Sequence, residues 1–423
     1  MKRKSFSATP FLPLKKRRLL NWLLFGFLLL IPTQLGRHFW FEWSYVKGMR
    51  VDYLSPVLYL THIFWIGIFL SKLQITNYKL QTNNKLQITK LLVIVFVLIN
   101  IIFANCWQMA IYRWIRVGQL IWTITYFRKE KELFRKYLKM VVPVWIVGES
   151  VLAIMQIINN GSIQGIMYWL GERRFSGNTI GIAQINWWGQ QIVRAYGTFS
   201  HPNSLAGFLL VGLLIKKITN YKLQITKWEM FVWLMGIVGI ILTGSRTVWA
   251  LLIFYFQFSI FKKLSKNKII NLSMTIIVVL LEILIARKLF IVSGWDSMGI
   301  EKRMELYKAS GEMIVKSPVI GVGLGNFVKN MGNHGWIQPV HNIFVLWLVE
   351  TGMVGTILLV FGLIKNKLRI TKYWEIWIVI LITGMVDHYW LTLIQNWWML
   401  GILFALNPSV DKLTSPFEER EKK

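Results

Sequence analysis

Acidic residues are scarce in this 423-residue chain: 19 Asp and Glu stand against 49 Lys and Arg, and charged residues of both signs make up only 16%. Water-soluble domains run closer to a quarter charged, so a string of soluble domains is excluded. Cysteine is nearly absent. The single Cys106 rules out an intrachain disulfide and a cysteine metal site, and it fixes no compartment. No A-x-A-like site closes the first apolar block, so no cleavable leader is expected. What the chain has in excess is apolar surface: 55% hydrophobic residues, 22 Trp and a mean hydropathy of +0.48. The apolar residues come in blocks of about 17 to 20, the length of a helix across a bilayer. A polytopic membrane protein follows.

The expected fold is all-α, a single membrane domain over 1–423 with about twelve spans. They fall near 19–32, 54–70, 91–108, 109–127, 140–158, 201–215, 228–244, 245–261, 269–285, 341–364, 373–389 and 391–406. With the N-terminus placed in the cytoplasm, the cytoplasmic connections and both termini hold 33 Lys and Arg in 94 residues. The three long external segments, 33–53, 159–200 and 286–340, hold 13 in 118. That asymmetry is the positive-inside pattern, so both termini are expected in the cytoplasm and most of the net charge of +30 is a topology signal. Nucleic-acid binding is excluded because the charge is scattered over seven short segments. The basic connections share a short repeat, KLQITNYKLQTNNKLQITK at 72–90, ITNYKLQITK at 218–227 and LRITK at 368–372. It reads as spacer, or as a contact with anionic membrane lipids.

The long external segments 159–200 and 286–340 are the informative ones, since long loops in compact proteins are usually functional. The larger lies between spans nine and ten. Within it, Ile300, Met304, Tyr307 and Ile314 recur at helical spacing, and Glu305, Lys308 and Glu312 lie elsewhere on the surface. This pattern predicts an amphipathic helix lying on the membrane or capping a cavity.

Candidate site residues gather at the external ends of the spans. The run RAYGTFSHPNSLAGF at 194–208 offers Arg194, Thr198, Ser200, His201 and Asn203, with Pro202 suited to a first helical turn and Ser200 or Asn203 to a cap. It reads as a capped helix start or as an anion site. Arg246, in LTGSRTVWA, sits at a tight external hairpin, either snorkelling or presented to a ligand. Arg303 and Lys302 lie on the predicted loop helix. His341 and Asn342 open span ten, and His is the usual general base near neutral pH. Gly352 and Gly355 follow at a small-x-x-small spacing that lets helices approach, and Glu350 stands between as a carboxylate that needs a partner or a proton. Asp387 and His388 close span eleven and Gln395 starts span twelve, an interfacial polar cluster able to orient a base or bind sugar hydroxyls. GVGLGNF at 321–327 fails the context of a dinucleotide fingerprint and reads as a flexible turn after Pro318. No metal-ligand cluster accompanies these residues. Arginines with a neutral base suit a diphosphate-bearing lipid substrate.

The chain resembles the O-antigen ligase and O-antigen polymerase family of bacterial membrane glycosyltransferases. The resemblance rests on RAYGTFSHPN at 194–203, Ser245-Arg246, the stretch from Arg303 through PVIGVGLGNF at 318–327, and His341-Asn342 followed by nine residues and Gly352-x-x-Gly355. It covers most of 140–405. The resemblance implies a GT-C-like helical fold in the bacterial plasma membrane, with the active site on the external or periplasmic side. It also implies transfer of a glycan from undecaprenyl diphosphate to a hydroxyl of a glycan, lipid or protein acceptor, with inversion and without a metal or other cofactor. On the matching positions, Arg246 and Arg303 would bind the diphosphate, with Arg194 at the same anion site, and His341 would activate the acceptor. Asn342, His201, Asn203, Asp387 and His388 would support them. Ligase and polymerase share these features. A transporter or flippase of lipid-linked sugars is the competing class, and it calls for inverted repeats and broken helices.

Overall fold

A computed structural model describes residues 14–73, 84–187, 189–219, 226–264, 297–332, 334–365 and 373–407. Span nine, both termini, most of the basic repeats and the first part of the large external segment lie outside the described residues. The chain is mostly helical. Its principal helices are α1 (Leu14–Leu29), α2 (Leu60–Leu73), α3 (Asn84–Ile102), α4 (Trp107–Lys129) and α5 (Lys131–Ile158). After a single turn, α6 (Ile166–Trp169), come α7 (Pro202–Thr219), α8 (Lys227–Leu242), α9 (Arg246–Leu264) and α10 (Ser297–Lys316). The last are α11 (Ile343–Lys365), α12 (Trp374–Val386), the short α13 (Tyr389–Thr392) and α14 (Ile394–Leu406). Lys131–Ile158, Pro202–Thr219 and Ile343–Ile364 are long and apolar enough to cross a membrane, and four shorter apolar helices accompany them. Apolar side chains on the outer faces of α3 and α11, such as Leu91, Ile94, Leu98, Ile357 and Ile364, stay exposed. A contiguous exposed apolar surface of this kind belongs against lipid. The chain is an integral membrane protein by these features.

Helix α7 is the centre of the bundle. Every residue from Ser204 to Lys216 is buried, and α7 packs against α5, α8, α9, α12 and α14. Three ion pairs join the ends of helices on one side: Lys72–Glu130 at 2.7 Å, Lys216–Glu229 at 3.9 Å and Lys217–Glu375 at 3.0 Å. These basic residues belong to the connections that charge counting places in the cytoplasm.

Outside the membrane helices the all-α expectation needs correction. Among the described residues there are three small antiparallel ribbons: β1 (Gly36–His38) with β4 (Val57–Tyr59), β2 (Tyr45–Val46) with β3 (Met49–Arg50), and β5 (Gln184–Trp187) with β6 (Gln190–Val193). Lys47 and Gly48, with φ of 51° and 77°, make the two-residue turn of the middle ribbon, the positive-φ geometry that matches strand twist. These segments carry no helical apolar period, and pairing satisfies their backbone groups.

The predicted loop helix is present as α10, with Ile314 of its predicted apolar face packed against a second core and the rest of that face exposed. Leu306, Ala309 and Met313 pack into that core with Val51, Leu54, Phe327 and Val340, while Ile300, Met304 and Tyr307 remain exposed. Two apolar stripes run along this helix, and the protein buries the one at 306, 309 and 313.

GVGLGNF is also not a flexible turn. Residues 321–328 are buried and thread into a break in α11 at Gly352, whose φ is 64° and ψ is −171°. The Met353 and Val354 N–H groups donate to the Pro318 and Val319 carbonyls at 2.9 and 3.1 Å. In exchange, the Val349 and Glu350 carbonyls accept from the Val322 and Gly323 N–H groups at 3.0 and 3.1 Å. The loop thus replaces the missing rungs of the helix ladder, the requirement on any interrupted helix at membrane depth. Asn100 of α3 completes the joint. Its amide donates to the Ile320 and Glu350 carbonyls at 2.9 and 3.0 Å, and its carbonyl accepts from Leu324 N–H and Trp114 Nε1. The Glu350 carboxylate accepts from the Tyr53 hydroxyl and from Phe327 N–H, so its partners are structural. Gly355 serves the close approach foreseen for it, since a Cβ there would lie 2.8 Å from Phe96 of α3.

Candidate active site

The 194–201 segment is held from below by polar groups of α5. Gln156 accepts from the Tyr196 and Gly197 N–H groups at 2.9 and 2.8 Å and donates to the Gly197 carbonyl at 2.9 Å. Glu149 accepts from Thr198 N–H at 2.9 Å, and its other oxygen lies 2.7 Å from the Thr198 hydroxyl. Gly197 has φ of 56°, and a Cβ would collide with Glu149. Glu172 accepts from Gln156, Ile163 N–H and Gln164 N–H, tying the 159–174 segment to the same base. Polar residues inside the apolar run VWIVGESVLAIMQII were the available signal for Glu149 and Gln156.

This support sets the start of α7. The cap differs from both sequence candidates: His201 Nδ1 accepts from Asn203 N–H at 3.2 Å, with Pro202 opening the helix. The Asn203 side chain is instead a bridge. Its carbonyl accepts from Arg194 Nη2 at 2.6 Å and its amide donates to Asp387 at 3.1 Å. Arg194 Nε donates to the Thr243 carbonyl at 2.6 Å, which docks the 243–245 hairpin, where Gly244 has φ of 62°, against the arginine. Arg246 begins α9 directly after it, close enough for its charge to act on Arg194.

Asp387 ends α12 and is buried, with one oxygen accepting from His388 N–H at 2.7 Å. His388 Nδ1 lies 2.9 Å from the Thr392 hydroxyl. The His341 and His388 rings meet edge to face at 5.2 Å between centroids. Neither ring nitrogen of His341 has a hydrogen-bond partner among the described residues, and both are shielded. Asn342 caps α11: its carbonyl accepts from the Phe344 and Val345 N–H groups at 2.9 and 3.1 Å, and its amide donates to the Tyr307 hydroxyl of α10 at 3.2 Å.

His201, His341, Asp387 and His388 share the wall of one cavity of about 690 Å³. The remaining walls come from the 34–59 ribbons, the 168–174 segment, Ser200, residues 337–339, the 389–395 stretch with Gln395, and Tyr112, Arg113 and Arg116 of α4. Arg194 and Asn203 stand one layer behind, joined to the wall through Asp387. Arg303 is exposed on α10, and its charge acts on both His341 and His201. Arg246 and Arg303 are not themselves among the lining residues. The arginines that line the cavity, Arg50, Arg113, Arg116, Arg173 and Arg174, were not among the sequence candidates. Their approach depends on ribbons and loops whose course no local pattern reveals.

The electrostatics separate acid from base. Burial pushes the Asp387 carboxyl up, but His388, His201, His341 and the Asn203 amide outweigh it and bring the pKa down to about 2. Burial lowers His341 and His201 to about 4 against the pull of Asp387, with Arg303 lowering both further. His388 is lowered by burial as well. Burial brings Arg194 down to about 10, still charged at neutral pH. The cavity therefore combines neutral imidazoles and three carboxylates, Asp52, Glu172 and Asp387, with five lining guanidinium groups, a setting for an anionic ligand and a proton acceptor. Among the described residues no group of three or more His, Cys, Asp or Glu is placed to hold a metal ion.

Residues 230–360 match a family model described as O-antigen ligase. The match includes Arg246, Arg303, His341, Asn342 and the Gly352–Gly355 pair, and it supports the O-antigen ligase family. No curated protein matches the chain.

Proposed function

We propose, from an O-antigen ligase domain at 230–360 as premise, that this integral membrane protein transfers a glycan from undecaprenyl diphosphate to an acceptor hydroxyl in the His341 cavity. The observation that carries the reading is His341 itself: a shielded imidazole without a hydrogen-bond partner among the described residues, on the same cavity wall as Asp387 and within reach of the Arg303 charge. The acceptor hydroxyl gives its proton to a His341 ring nitrogen while its oxygen attacks the anomeric carbon. The bond from that carbon to the diphosphate oxygen breaks on the opposite face, and undecaprenyl diphosphate leaves with the electron pair. Asp387 stabilises the imidazolium that forms. Arg246 and Arg303, with Arg194 behind them, stabilise the charge on the leaving diphosphate, the role a metal would otherwise fill. In this reading the cavity faces the external or periplasmic side of the bacterial plasma membrane, and the basic connections and termini face the cytoplasm. About twelve spans make up the membrane domain, with 159–200 and 286–340 outside.

The test is incubation of the purified protein with a lipid-diphosphate-linked glycan and candidate acceptors, followed by mass analysis. The expected product has the mass of glycan plus acceptor, with polyprenyl diphosphate released. A further lipid-linked glycan as the productive acceptor identifies a polymerase; a different lipid or a protein identifies a ligase. The break in α11 is a feature a transporter would also have. In vesicles, movement of lipid-linked glycan without a covalent product would establish transport instead.

Two kinetic results are expected. Arg246→Ala weakens donor use, raising KM about tenfold or more through loss of charge-assisted contacts; an unchanged donor KM removes Arg246 from the diphosphate site. His341 is neutral above about pH 4, so kcat/KM stays flat at neutral and mildly acidic pH and falls as pH drops through about 4. A bound diphosphate favours the imidazolium, so the acid limb of kcat lies at higher pH than that of kcat/KM. An acid limb of kcat/KM near 6.5 would contradict this assignment.

A further inference from the structure

Arg113 and Arg116 stand one turn apart on α4, so their side chains leave the helix on one face, and both line the cavity. Counted from Trp107 at 1.5 Å per residue, they lie about 9 and about 14 Å along the helix from its start. Arg116 is only 5% exposed, and its Nε and Nη2 are buried without a hydrogen-bond partner; Arg113 Nε is in the same state. The direct contacts that remain are neutral; the buried Glu350 carboxylate, hydrogen-bonded by Tyr53, acts on Arg113 through its charge but forms no ion pair with it. Arg113 Nη2 donates to the Tyr53 carbonyl at 2.9 Å, and its guanidinium lies 4.7 Å from the Tyr53 ring centre. The Arg116 guanidinium lies 6.0 Å from the Tyr112 ring centre and 5.7 Å from the Trp397 ring centre. Among the described residues no carboxylate forms an ion pair with either.

Two like charges in a membrane helix with uncovered N–H groups destabilise the fold, and aromatic faces offset only part of that. Glu350 offsets part of the Arg113 charge, but the three uncovered N–H groups and the charge of Arg116 call for an anion from outside the chain. The i, i+3 guanidinium pair offers several N–H donors to one set of phosphate oxygens. Different charges act on the two histidines: Arg303 and Lys302, on α10 outside the cavity wall, act on His341, whereas Arg113, in the wall, acts on His388.

We infer that Arg113 and Arg116 form a second anion subsite, which holds a phosphate group of the acceptor lipid while the arginines near His341 hold the donor diphosphate. That the anion belongs to an acceptor rests on the glycan-transfer reading; the pair's demand for phosphate does not. The phosphate comes either from a second polyprenyl diphosphate or from a phosphorylated glycolipid.

The experiment is native mass spectrometry of the full-length protein in lipid nanodiscs, titrated with polyprenyl diphosphate alone and then with a phosphorylated glycolipid added. The wild type is expected to bind two phosphorylated lipids. A doublet of polyprenyl diphosphate marks the first source and a mixed pair the second. Arg113→Gln with Arg116→Gln is expected to keep one lipid and to weaken the other about tenfold or more. Both lipids binding to the double variant as to wild type, or a single lipid on the wild type in every mixture, overturns the proposal. Arg116→Met alone tests for a merely structural arginine. The subsite predicts an unfolding temperature without ligand at or above that of wild type, with the rise caused by the second lipid lost. A lower unfolding temperature with that rise intact overturns it. Two lipids on the wild type and one on the double variant, with no glycan product from the wild type, sinks the transfer reading and leaves the subsite standing.

Discussion

Replacing His341 by alanine is expected to lower glycan transfer about 10²- to 10⁴-fold, the contribution of a positioned general base, while the protein stays folded. The structure explains why the two effects separate. His341 gives no hydrogen bond to the fold among the described residues, and the cap of α11 belongs to Asn342. The alanine variant therefore loses a ring contact with His388 and the proton acceptor, but no capping or ladder bond. Binding of the donor should persist, because the arginines assigned to the diphosphate are untouched. Initial rates and donor affinity measured on the same preparation check both halves. Near-normal transfer by His341→Ala would remove His341 as the base; loss of donor binding together with rate would point to a misfolded cavity.

The largest stability effect is expected from Gly352→Ala. At φ 64° and ψ −171° a side chain is strained wherever it points, and the added Cβ would meet the Val319 carbonyl and Gly321 nitrogen head on. The backbone conformation and the overlap together are expected to cost about 3 to 5 kcal/mol. The damage would extend to the exchange of hydrogen bonds that seats residues 318–323 in α11. Since that joint carries Glu350 and the start of α11 carries His341, transfer should fall along with the unfolding midpoint. Gly362→Ala is the control: a Cβ there meets nothing within 4 Å, and the midpoint should hold or rise slightly. Equal midpoints for the two variants would mean that the break at Gly352 does not support the fold.

The apolar runs were legible because a membrane helix must satisfy its backbone within itself, which ties helix position to a local pattern. Hence α5, α7, α12 and α14 lie where hydropathy places them. His341, His201, Asp387 and His388 were legible as polar residues at the ends of such runs, and they share one wall. Gly352 was legible as a small residue but not as a helix break, because its partner is the backbone of 318–321 rather than another helix. The Tyr53–Glu350 contact joins residues 297 positions apart, and nothing local to either marks it. Arg113 and Arg116 were visible as charges within a span, yet their place in the cavity depends on how α4 packs beside α14 and the 34–59 ribbons.

The most direct measurement is the anomeric configuration of the bond made by the wild-type protein, read by nuclear magnetic resonance against that of the lipid-diphosphate donor. Direct attack by a hydroxyl activated at His341 requires inversion at the anomeric carbon. A product with retained configuration would contradict it.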